Sequence, residues 1–517
     1  MRKSIHHLSL TTAVLLLAGG MSSLNAKEDP KYQTGNHNPI CDFWYAADPT
    51  SVEYNGRLYV YGSNDQQEFD ANPLGTENSY GKIRSLAVFS TDDMVNWTFH
   101  GTIDMTKVKD GSWIGTSWAP TIVSRQEKDG KTHFYLYFLN SGYAVAVLTA
   151  TSPLGPWTSP RKSNITNGFD PGVVIDENGV GWLSYGGFGS TPSIVKLSSD
   201  MISLSGSPIP LNPPFHNEAN ELNYINGTYV YTYNTDWSDH TPWTYSGQKP
   251  TACSMCYMTS KTPTKASSWT YKNMYFRNQG DYLGFGWNNN HTHIQKFAGE
   301  YYLIYHSQML QEQNGHSGNY RSLSIDKIKV DEQNVVISEG TATRKGVEQI
   351  HLLNPYALQQ AETTSATKDV KFKADASTPG NMYYAGSTGK TGYIKVSGVD
   401  YMVSADSIRF RVWGKGSIDM RLDSESGRLL ASCNVDSSQP VTVSVPVKST
   451  SLLKLNLVFV CKDAVNFDTW QFVSNTLSVE TPKTMSSGLS YDLNGKAINP
   501  SGHQGIYIMD GKKYLAE

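Results

Sequence analysis

The sequence lacks three features that would each point to a class of function. Lys and Arg total 43 against 46 Asp and Glu, and basic runs are absent, so the chain lacks the footprint of a nucleic-acid-binding protein. No segment beyond the N-terminal leader is long and apolar enough to cross a bilayer. Helical periodicity is nearly absent too, and we therefore expect an all-β protein.

Cysteine is scarce, with five residues in a chain of 517. Cys253 and Cys256 form a lone C-x-x-C that has neither a second Cys/His pair for zinc nor a βαβ context for redox chemistry. This pair is therefore interpreted as a local disulfide or as buried thiols. Cys433 and Cys461 are candidates for a disulfide within the C-terminal part, although the sequence does not fix the connectivity.

The N-terminus has the pattern of a secretory signal peptide. A basic start is followed by a short apolar stretch that includes residues 14–17, and small residues continue to Ala26. We therefore expect residues 1–26 to be a signal peptide. The mature protein would be exported, either periplasmic or secreted, where disulfides are permitted.

The chain contains five repeats, each a Gly-centred turn followed by an alternating aromatic or aliphatic strand. They read NGRLYVYGSND, DGKTHFYLYFLN, NGVGWLSYGG, NGTYVYTYNTD and AGEYYLIYHSQ, with turn glycines at Gly56, Gly130, Gly179, Gly227 and Gly299. The intervals of 74, 49, 48 and 72 residues are typical of a β-propeller with insertions. We predict a five-bladed propeller over residues 27–353, with ligand-selecting loops in the long insertions after blades one and four.

Further short strands follow the propeller. Residues 354–475 contain TGYIKVSGVDYMV, SIRFRVWGKGSIDMRLD and LLKLNLVFVCK, a spacing that predicts a β-sandwich of the jelly-roll type. Residues 476–517 have too few apolar residues for an independent core.

Three carboxylates occupy matching places within separate repeats. Asp48, Asp170 and Glu218 precede their turn glycines by 8, 9 and 9 residues. An Asp before Pro is ordinary turn chemistry when it occurs alone. Equivalent points of radially arranged blades converge near the axis, however, so the shared register favours one pocket. Convergent carboxylates whose pKa values differ can perform the acid–base chemistry of glycoside hydrolysis.

Residues 36–340 resemble glycoside hydrolase family 43, the inverting enzymes built on a five-bladed propeller. The resemblance rests on ADPTSVEYNGRLYVYGS, SWAPTIV, FDPGVVIDENG, NEANEL, NNNHTHIQKF and YRSLSIDKI. It implies that Asp48 is the general base, Glu218 the general acid, and Asp170 the residue that orients the acid and raises its pKa. Glu221 is a rival acid, but Ala219 after Glu218 matches the small residue that the family places there.

The same resemblance extends to three further residues. Arg321 in YRSLSID resembles the arginine that reaches the sugar, and Trp118 in SWAPTIV resembles an aromatic residue of the pocket wall. His291 resembles the axial histidine that binds a metal, often calcium, through water. Thr292 stands where many members have a second histidine, which weakens that expectation. Hydrolysis itself needs no cofactor, so any calcium would be structural.

The second unit resembles carbohydrate-binding module family 6, through LQQAETT, TGYIKVSGVDY, IDMRLDSESGRLLASCNV and NFDTWQF. The resemblance implies a structural calcium held by Gln360, Glu362 and Asp468, and a sugar-binding role for Asn466. A tryptophan usual near residues 437–445 is missing, which puts one stacking wall in question. The tail resembles C-terminal extensions of exported Bacteroidetes proteins, some of which are sorting signals; a degenerate strand pair is the alternative.

These observations predict an inverting glycosidase that releases α-L-arabinofuranosyl groups from arabinoxylan or related plant cell-wall pentosans. A β-1,4-xylosidase of the same family is the close alternative. A non-catalytic glycan-binding protein is the alternative of another class, and the three intact acids argue against it. We expect a monomer whose partner is a plant cell-wall polysaccharide or oligosaccharide.

Overall fold

The structure is a computed structural model that describes residues 38–474 except 73, 74, 188, 376, 377 and 379, together with four short strands between residues 490 and 516. The predicted signal peptide and most of the C-terminal tail lie outside the described residues. The tail strands are Ser490–Asp492, Ala497–Ile498, Gly505–Met509 and Lys512–Ala516, and they form one antiparallel sheet.

Five antiparallel sheets follow one another along the first part of the chain, and they are the five predicted blades. Blade one contains β1 (Ala47–Tyr54), β2 (Arg57–Ser63), β3 (Ser85–Thr91) and β4 (Trp97–Asp104). Blade two contains β5 (Ser117–Gln126), β6 (Thr132–Asn140), β7 (Ala144–Ala150) and β8 (Thr166–Asn167). Blade three contains β9 (Gly172–Ile175), β10 (Gly181–Tyr185), β11 (Ser193–Lys196) and β12 (Ile209–Pro210).

Blade four contains β13 (His216–Ile225), β14 (Thr228–Thr235), β15 (Met255–Ser260) and β16 (Thr270–Phe276), and blade five contains β17 (Thr292–Phe297), β18 (Glu300–Ser307) and β19 (Ser322–Lys327). A hairpin of β20 (Val330–Asp331) and β21 (Val336–Ile337) follows. Three helices of the described part of the chain lie between strands, α1 (Asp65–Ala71), α2 (Gln279–Leu283) and α3 (Met309–Asn314), with a 3₁₀ turn at Ala266–Ser268. Within the described residues, none is long and apolar enough to span a membrane.

The five turn glycines set the register of the inner hairpins. All five have positive φ, from 72° to 85°. In blade one the preceding Asn55 also has positive φ, 51°, which matches the twist of a two-residue hairpin turn. Tyr54 then pairs with Arg57 directly across the turn. Side chains alternate between the two faces of β2, and Leu58 and Val60 are thereby buried against the neighbouring blade.

The N-terminal segment closes the propeller ring. The backbone N–H of Ile40 donates to the carbonyl of Leu323 on β19, and Asn38 N–H donates to the carbonyl of Arg344, both at 2.9 Å. The buried Asn38 side chain also bonds the backbone of Ile325 in both directions. The first described residues therefore border the three-stranded fifth blade, and Ile40 packs in the core between blades one and five.

The second domain is a curled β-structure around one apolar core. Its strands are β22 (Gln359–Gln360), β23 (Thr363–Thr364), β24 (Ala366–Lys368), β25 (Phe372–Ala374), β26 (Met382–Ala385), β27 (Thr391–Asp400), β28 (Ser407–Leu422), β29 (Leu429–Pro446) and β30 (Lys454–Val473). The long β28 pairs with both β29 and β30, and the inward residues of these strands form the core. Leu353, the predicted end of the propeller, already packs in this second core.

The two domains share a sheet. Strand β23 pairs with β4, so that it becomes the fifth strand of blade one. Asn96 and Ser397 exchange two hydrogen bonds of 2.8 Å across the junction, and both residues are buried. Main-chain hydrogen bonds between β23 and β4 and the side-chain hydrogen bonds of Asn96 therefore join the second domain to the propeller.

All five cysteines are buried, and Cys253, Cys256, Cys433 and Cys461 are free thiols. Cys433 and Cys461, the candidate pair, do not form a disulfide, because both residues lie opposite Ile418, on the two strands that flank β28. Two strand spacings separate their backbones by about 10 Å, whereas a disulfide requires Cα atoms within about 7 Å. For Cys253 and Cys256 the structure shows buried thiols, the second of the two interpretations.

Candidate active site

Backbone bulges at one end of the propeller axis position the three acids. Asp48 and Asp170 have φ of 49° and 41°, and Ala119 and Ala219 occupy the same left-handed region at 43° and 59°. The register of β1, β5 and β13 shifts at these points. Such conformations in residues other than glycine are strained and cluster at functional sites. Glu218 lies one residue before Ala219, so it is offset by one position from the two aspartates.

The predicted catalytic residues share one cavity of about 460 Å³. Its walls are Asp48, Tyr80, Trp118, Ala119, Phe169, Asp170, Asn217, Glu218, Trp237, Asn288, Asn289, His291 and Arg321. All three acids are at most 7 % exposed. The structure therefore brings together the six propeller residues to which the family resemblance assigns a role, Asp48, Trp118, Asp170, Glu218, His291 and Arg321.

Glu221, the rival acid, does not reach this cavity. Its carboxylate lies 3.4 Å from the imidazole of His293, and both side chains are buried. The two residues line a second cavity that is bordered by residues near the blade turns, such as Glu53 and Lys296. Glu221 therefore lies at the opposite end of the axis from the three acids.

Asp48 is the most heavily hydrogen-bonded acid of the pocket. Its Oδ1 accepts from Arg321 Nη1 at 2.8 Å, and its Oδ2 accepts from the Ser63 hydroxyl at 2.7 Å. Burial alone would raise the pKa of Asp48, but the Arg321 guanidinium beside it holds this pKa well below its usual range. The Asp48 carboxyl is consequently ionised throughout the neutral and mildly acidic range.

Two histidines flank Asp48. His306 Nε2 lies 2.9 Å from the carbonyl oxygen of Asn289, which can only accept, so this nitrogen carries the proton. Its Nδ1 is then free to accept the backbone N–H of Asp48 at 3.1 Å. His291 Nδ1 lies 3.6 Å from Asp48 Oδ1. Burial lowers the pKa of His291 to about 4, which keeps that imidazole neutral.

Arg321 is fixed in the pocket by a second carboxylate. Its Nε and Nη2 donate to the two oxygens of Asp65 at 3.0 and 2.9 Å, and its own backbone N–H donates to the same group. Its guanidinium also stacks 4.9 Å from the ring centre of Tyr80. Burial opposes the charge of Arg321, but Asp48 and Asp65 raise its pKa well above the usual value. The arginine is a permanently charged, immobile group in the pocket floor.

The pKa values of Glu218 and Asp170 are raised, in the opposite direction to that of Asp48. Burial, followed by the charge of Asp48, raises the pKa of Glu218 to about 7. Burial, Glu218 and Asp48 likewise raise the pKa of Asp170 well above its usual value. Asp170 Oδ2 accepts the Ala219 N–H at 2.9 Å, directly after Glu218. The pocket thus combines one ionised carboxylate with a coupled pair that retains a proton near neutral pH.

Several residues of the site were not predicted from the sequence. Ser63 and His306 end the second strands of blades one and five, and Asp65 follows Ser63 closely. The sequence could have indicated them, because the repeats that contain them end with polar residues, in YGSND and YHSQ. In the structure Ala47, the neighbour of Asp48, pairs with Ser63 across the hairpin. Tyr80 and Trp237 come from the two long insertions, in which no periodicity marks individual residues.

A metal bound by His291 through water, as the resemblance implies, stays a prediction. No cluster of three or more His, Cys, Asp and Glu side chains suited to a metal ion exists within the described part of the chain. In the second domain, the described residues leave Gln360 Oε1, Glu362 Oε2 and Asp468 Oδ1 buried without hydrogen-bond partners. One amide and two carboxylate oxygens are the donors that calcium prefers, so this set fits the ion that the sequence predicted there.

Asn466 lies on β30 opposite Trp413 and next to Ala385. Trp413 packs against Tyr383, with ring centres 4.7 Å apart. These partly buried aromatic residues stand beside Asn466, although the tryptophan usual near residues 437–445 is missing. The second domain therefore has a different aromatic wall near this asparagine.

A five-bladed propeller whose axial pocket holds one ionised and one protonated carboxyl has the pair of groups that glycoside hydrolysis requires. Residues 36–336 match the profile of Glycosyl hydrolases family 43, and the chain belongs to this family. Glycoside hydrolysis in this family needs no cofactor for the chemical step.

Two curated relatives are similar over both domains. An arabinoxylan arabinofuranohydrolase of Bacillus subtilis (strain 168) is 33 % identical over 485 residues, covering 85 % of this chain and 92 % of its own. One of Paenibacillus polymyxa is 31 % identical, covering 91 % of this chain and 79 % of its own. The crystal structure of a family 43 arabinoxylan arabinofuranohydrolase from Bacillus subtilis, in complex with cellotetraose, superposes with a TM-score of 0.79 at 32 % identity, over 86 % of this chain and 99 % of that one.

Proposed function

We propose that this protein is an inverting α-L-arabinofuranosidase that removes arabinofuranosyl side groups from arabinoxylan. The observation that carries the mechanism is the division of charge within one pocket. Asp48 is held ionised by Arg321, while Glu218 has a pKa of about 7. A base and an acid are therefore both in the required state at neutral pH.

In the proposed reaction, water attacks the anomeric carbon while its proton passes to the free lone pairs of Asp48. The glycosidic C–O bond breaks, and Glu218 donates its proton to the departing oxygen. The sugar leaves with inverted configuration, and the two carboxyl groups exchange their protonation states through solvent before the next turnover.

Asp170 would act on Glu218 and not on the sugar. Its hydrogen bond to the Ala219 N–H fixes the backbone next to the acid. Burial, Glu218 and Asp48 raise the pKa of Asp170 well above its usual value, so the two carboxyls of this pair do not both carry a charge at neutral pH. This is the orienting role that the sequence predicted.

The choice of arabinofuranose over xylose rests on which relatives match both domains. The two arabinoxylan arabinofuranohydrolases cover 85 % and 91 % of the chain. A xylosidase/arabinosidase of Bacteroides ovatus is 26 % identical over only 57 % of the chain. The β-1,4-xylosidase therefore remains the second candidate for the same pocket.

The substrate is tested with p-nitrophenyl glycosides and with polymer. We expect kcat/KM on the α-L-arabinofuranoside to exceed that on the β-D-xylopyranoside by about tenfold or more, since one well-placed hydroxyl contact is worth at least that factor. Arabinoxylan should release arabinose as the monosaccharide. Dominant release of xylose would favour the xylosidase. Binding without any product would favour a glycan-binding protein.

The pH dependence follows from the two pKa values. Glu218 must be protonated, so kcat/KM should fall tenfold per pH unit above about pH 7. Asp48 has a depressed pKa, so it stays ionised as the pH falls, and the acidic limb should lie below the range of an ordinary aspartate. A profile of kcat/KM from pH 3 to 9 measures the alkaline limb and shows whether activity persists down to the pH at which an ordinary aspartate is half protonated. An alkaline limb that begins near pH 5 would contradict the buried, protonated acid.

We further propose that Gln360, Glu362 and Asp468 hold a structural calcium ion, supported by their three unpartnered buried oxygens. Calcium in excess should raise the melting temperature by about 5–10 °C relative to EDTA-treated protein, because it binds the folded state. Asp468→Ala should abolish this shift, whereas the exposed Asp436→Ala should retain it. Equal melting temperatures of the wild type with calcium and with EDTA would contradict the site.

The second domain is proposed to bind sugar through Asn466, with Tyr383 and Trp413 as aromatic neighbours. Loss of xylo-oligosaccharide binding by an Asn466→Ala variant, measured on the Glu218→Gln background, would support this role. We also propose export of a monomer after removal of residues 1–26. N-terminal sequencing of the mature protein, expected to begin at Lys27, and its mass in solution test these two points.

A further inference from the structure

Two exposed tryptophans lie together at the mouth of the catalytic pocket. Trp237 is 50 % exposed and Trp287 is 46 % exposed, and their ring centres are 6.2 Å apart with planes inclined by 33°. Trp237 itself lines the pocket, and Trp287 directly precedes the pocket residues Asn288 and Asn289. The mechanism described above uses neither indole.

The two indoles are held in place by their surroundings. A Cβ atom at Gly280 would lie 2.5 Å from Cδ1 of Trp287, so this ring lies directly on the backbone of α2. Beside Trp237, the Asp236 N–H and carbonyl both bond to the backbone, and the Asp236 carboxylate accepts from Ser238. Large aromatic faces that remain exposed on fixed supports mark binding surfaces.

We propose that Trp237 and Trp287 form a stacking platform for a pyranose ring of the polysaccharide backbone. The catalytic cavity of about 460 Å³ takes the side group that is cleaved, and the backbone must then cross its mouth. The equatorially substituted pyranose rings of a β-1,4-linked backbone expose C–H faces that pack on indole rings. The inference rests on the proposed function, because that function supplies a backbone beyond the scissile bond.

Loss of the platform should lower kcat/KM more on the polymer than on a small aryl glycoside. A p-nitrophenyl α-L-arabinofuranoside fills the cavity but has no backbone, whereas arabinoxylan fills both sites. Trp287→Ala should lower kcat/KM on arabinoxylan by about tenfold more than on the aryl glycoside, which corresponds to one aromatic stacking contact with its buried area. Trp287→Phe keeps a ring and should recover most of that difference. Trp237→Ala should reduce both activities, and the polymer activity more.

Tyr245 provides the matched control. It is an exposed aromatic residue, 44 % exposed, in the same insertion as Trp237, and it packs against Trp243 without lining the pocket. Tyr245→Ala should leave the ratio of the two activities unchanged. Melting temperatures close to that of the wild type exclude unfolding as the cause. Equal losses on polymer and aryl glycoside in Trp287→Ala, or no loss on either, would overturn the platform.

A direct binding measurement separates this inference from the proposed function. In the Glu218→Gln, Asn466→Ala background, titration calorimetry with unsubstituted β-1,4-xylotetraose reports the propeller alone. Adding Trp287→Ala should weaken this binding by about tenfold. Unchanged binding would overturn the platform even if the wild type cleaves arabinoxylan. Weakened binding would support it even if the wild type proves to release another sugar.

Discussion

Replacing Glu218 by Gln is expected to lower kcat on arabinoxylan by about 10³-fold, within the range of a lost general acid. The leaving xylan hydroxyl is a poor leaving group and needs the proton that Glu218 supplies. The loss on p-nitrophenyl α-L-arabinofuranoside should be only about tenfold, because p-nitrophenolate departs without protonation. The measurement is kcat for both substrates with both proteins, and the alkaline limb near pH 7 should disappear from the variant.

Glu221→Gln is the control for this experiment. Glu221 is a buried glutamate three residues away in the same strand, but it pairs with His293 at the other end of the axis. Its substitution should affect both substrates equally. If Glu221→Gln showed the dependence on leaving group and Glu218→Gln did not, the assignment of the acid would be reversed.

Replacing Asp48 by Asn should reduce kcat by about 10³–10⁴-fold on polymer and aryl glycoside alike, because activation of water is required whatever group departs. The fold should persist, since Arg321 keeps its two hydrogen bonds to Asp65. Removal of the Asp48 charge also removes one of the causes that raise the pKa of Glu218. Steady-state kinetics on both substrates, with circular dichroism for the fold, measure these effects.

Asp176→Asn is the matching control, since Asp176 is a buried propeller aspartate that bonds Trp182 and Tyr229 and does not line the pocket. Its loss should lower stability and leave kcat within a few fold of the wild type. Activity of Asp48→Asn within tenfold of the wild type would mean that another group activates the water.

The architecture was largely predictable because it depends on local signals. The five turn glycines require positive φ, and the alternation beside them fixes which faces are buried. The same spacing located Asp48 and Asp170 at equivalent points. Glu218 is offset by one residue, because Ala219 is the residue that stands 8 positions before its turn glycine and second in the bulge, as Asp48 does in β1.

The environment of the acids was less predictable because it is made by contacts across the ring. Asp65 and Arg321 are 256 positions apart and meet only when blades one and five close on each other. No periodic pattern relates two such residues. The free Cys433 and Cys461 show the same limit, since only the strand order places β28 between them.

The expected role of the insertions as sugar-selecting loops has a structural basis in Tyr80 and Trp237. Tyr80, which stacks on Arg321, lies between β2 and β3 of blade one, and Trp237 at the pocket mouth lies between β14 and β15 of blade four. The two long insertions are therefore inside these blades, whereas the repeat spacing predicts them after the blades. Their selectivity stays a prediction that the platform experiment tests.

The central claim is that Asp48 and Glu218 hydrolyse an arabinofuranosyl bond with inversion, and time-resolved proton NMR of arabinoxylan digestion tests it most directly. We expect β-L-arabinofuranose to appear first and then to equilibrate with its other forms, while the xylan backbone stays intact. Initial appearance of the α anomer would contradict the assigned roles, and xylose or shortened xylan as the first product would contradict the assigned substrate.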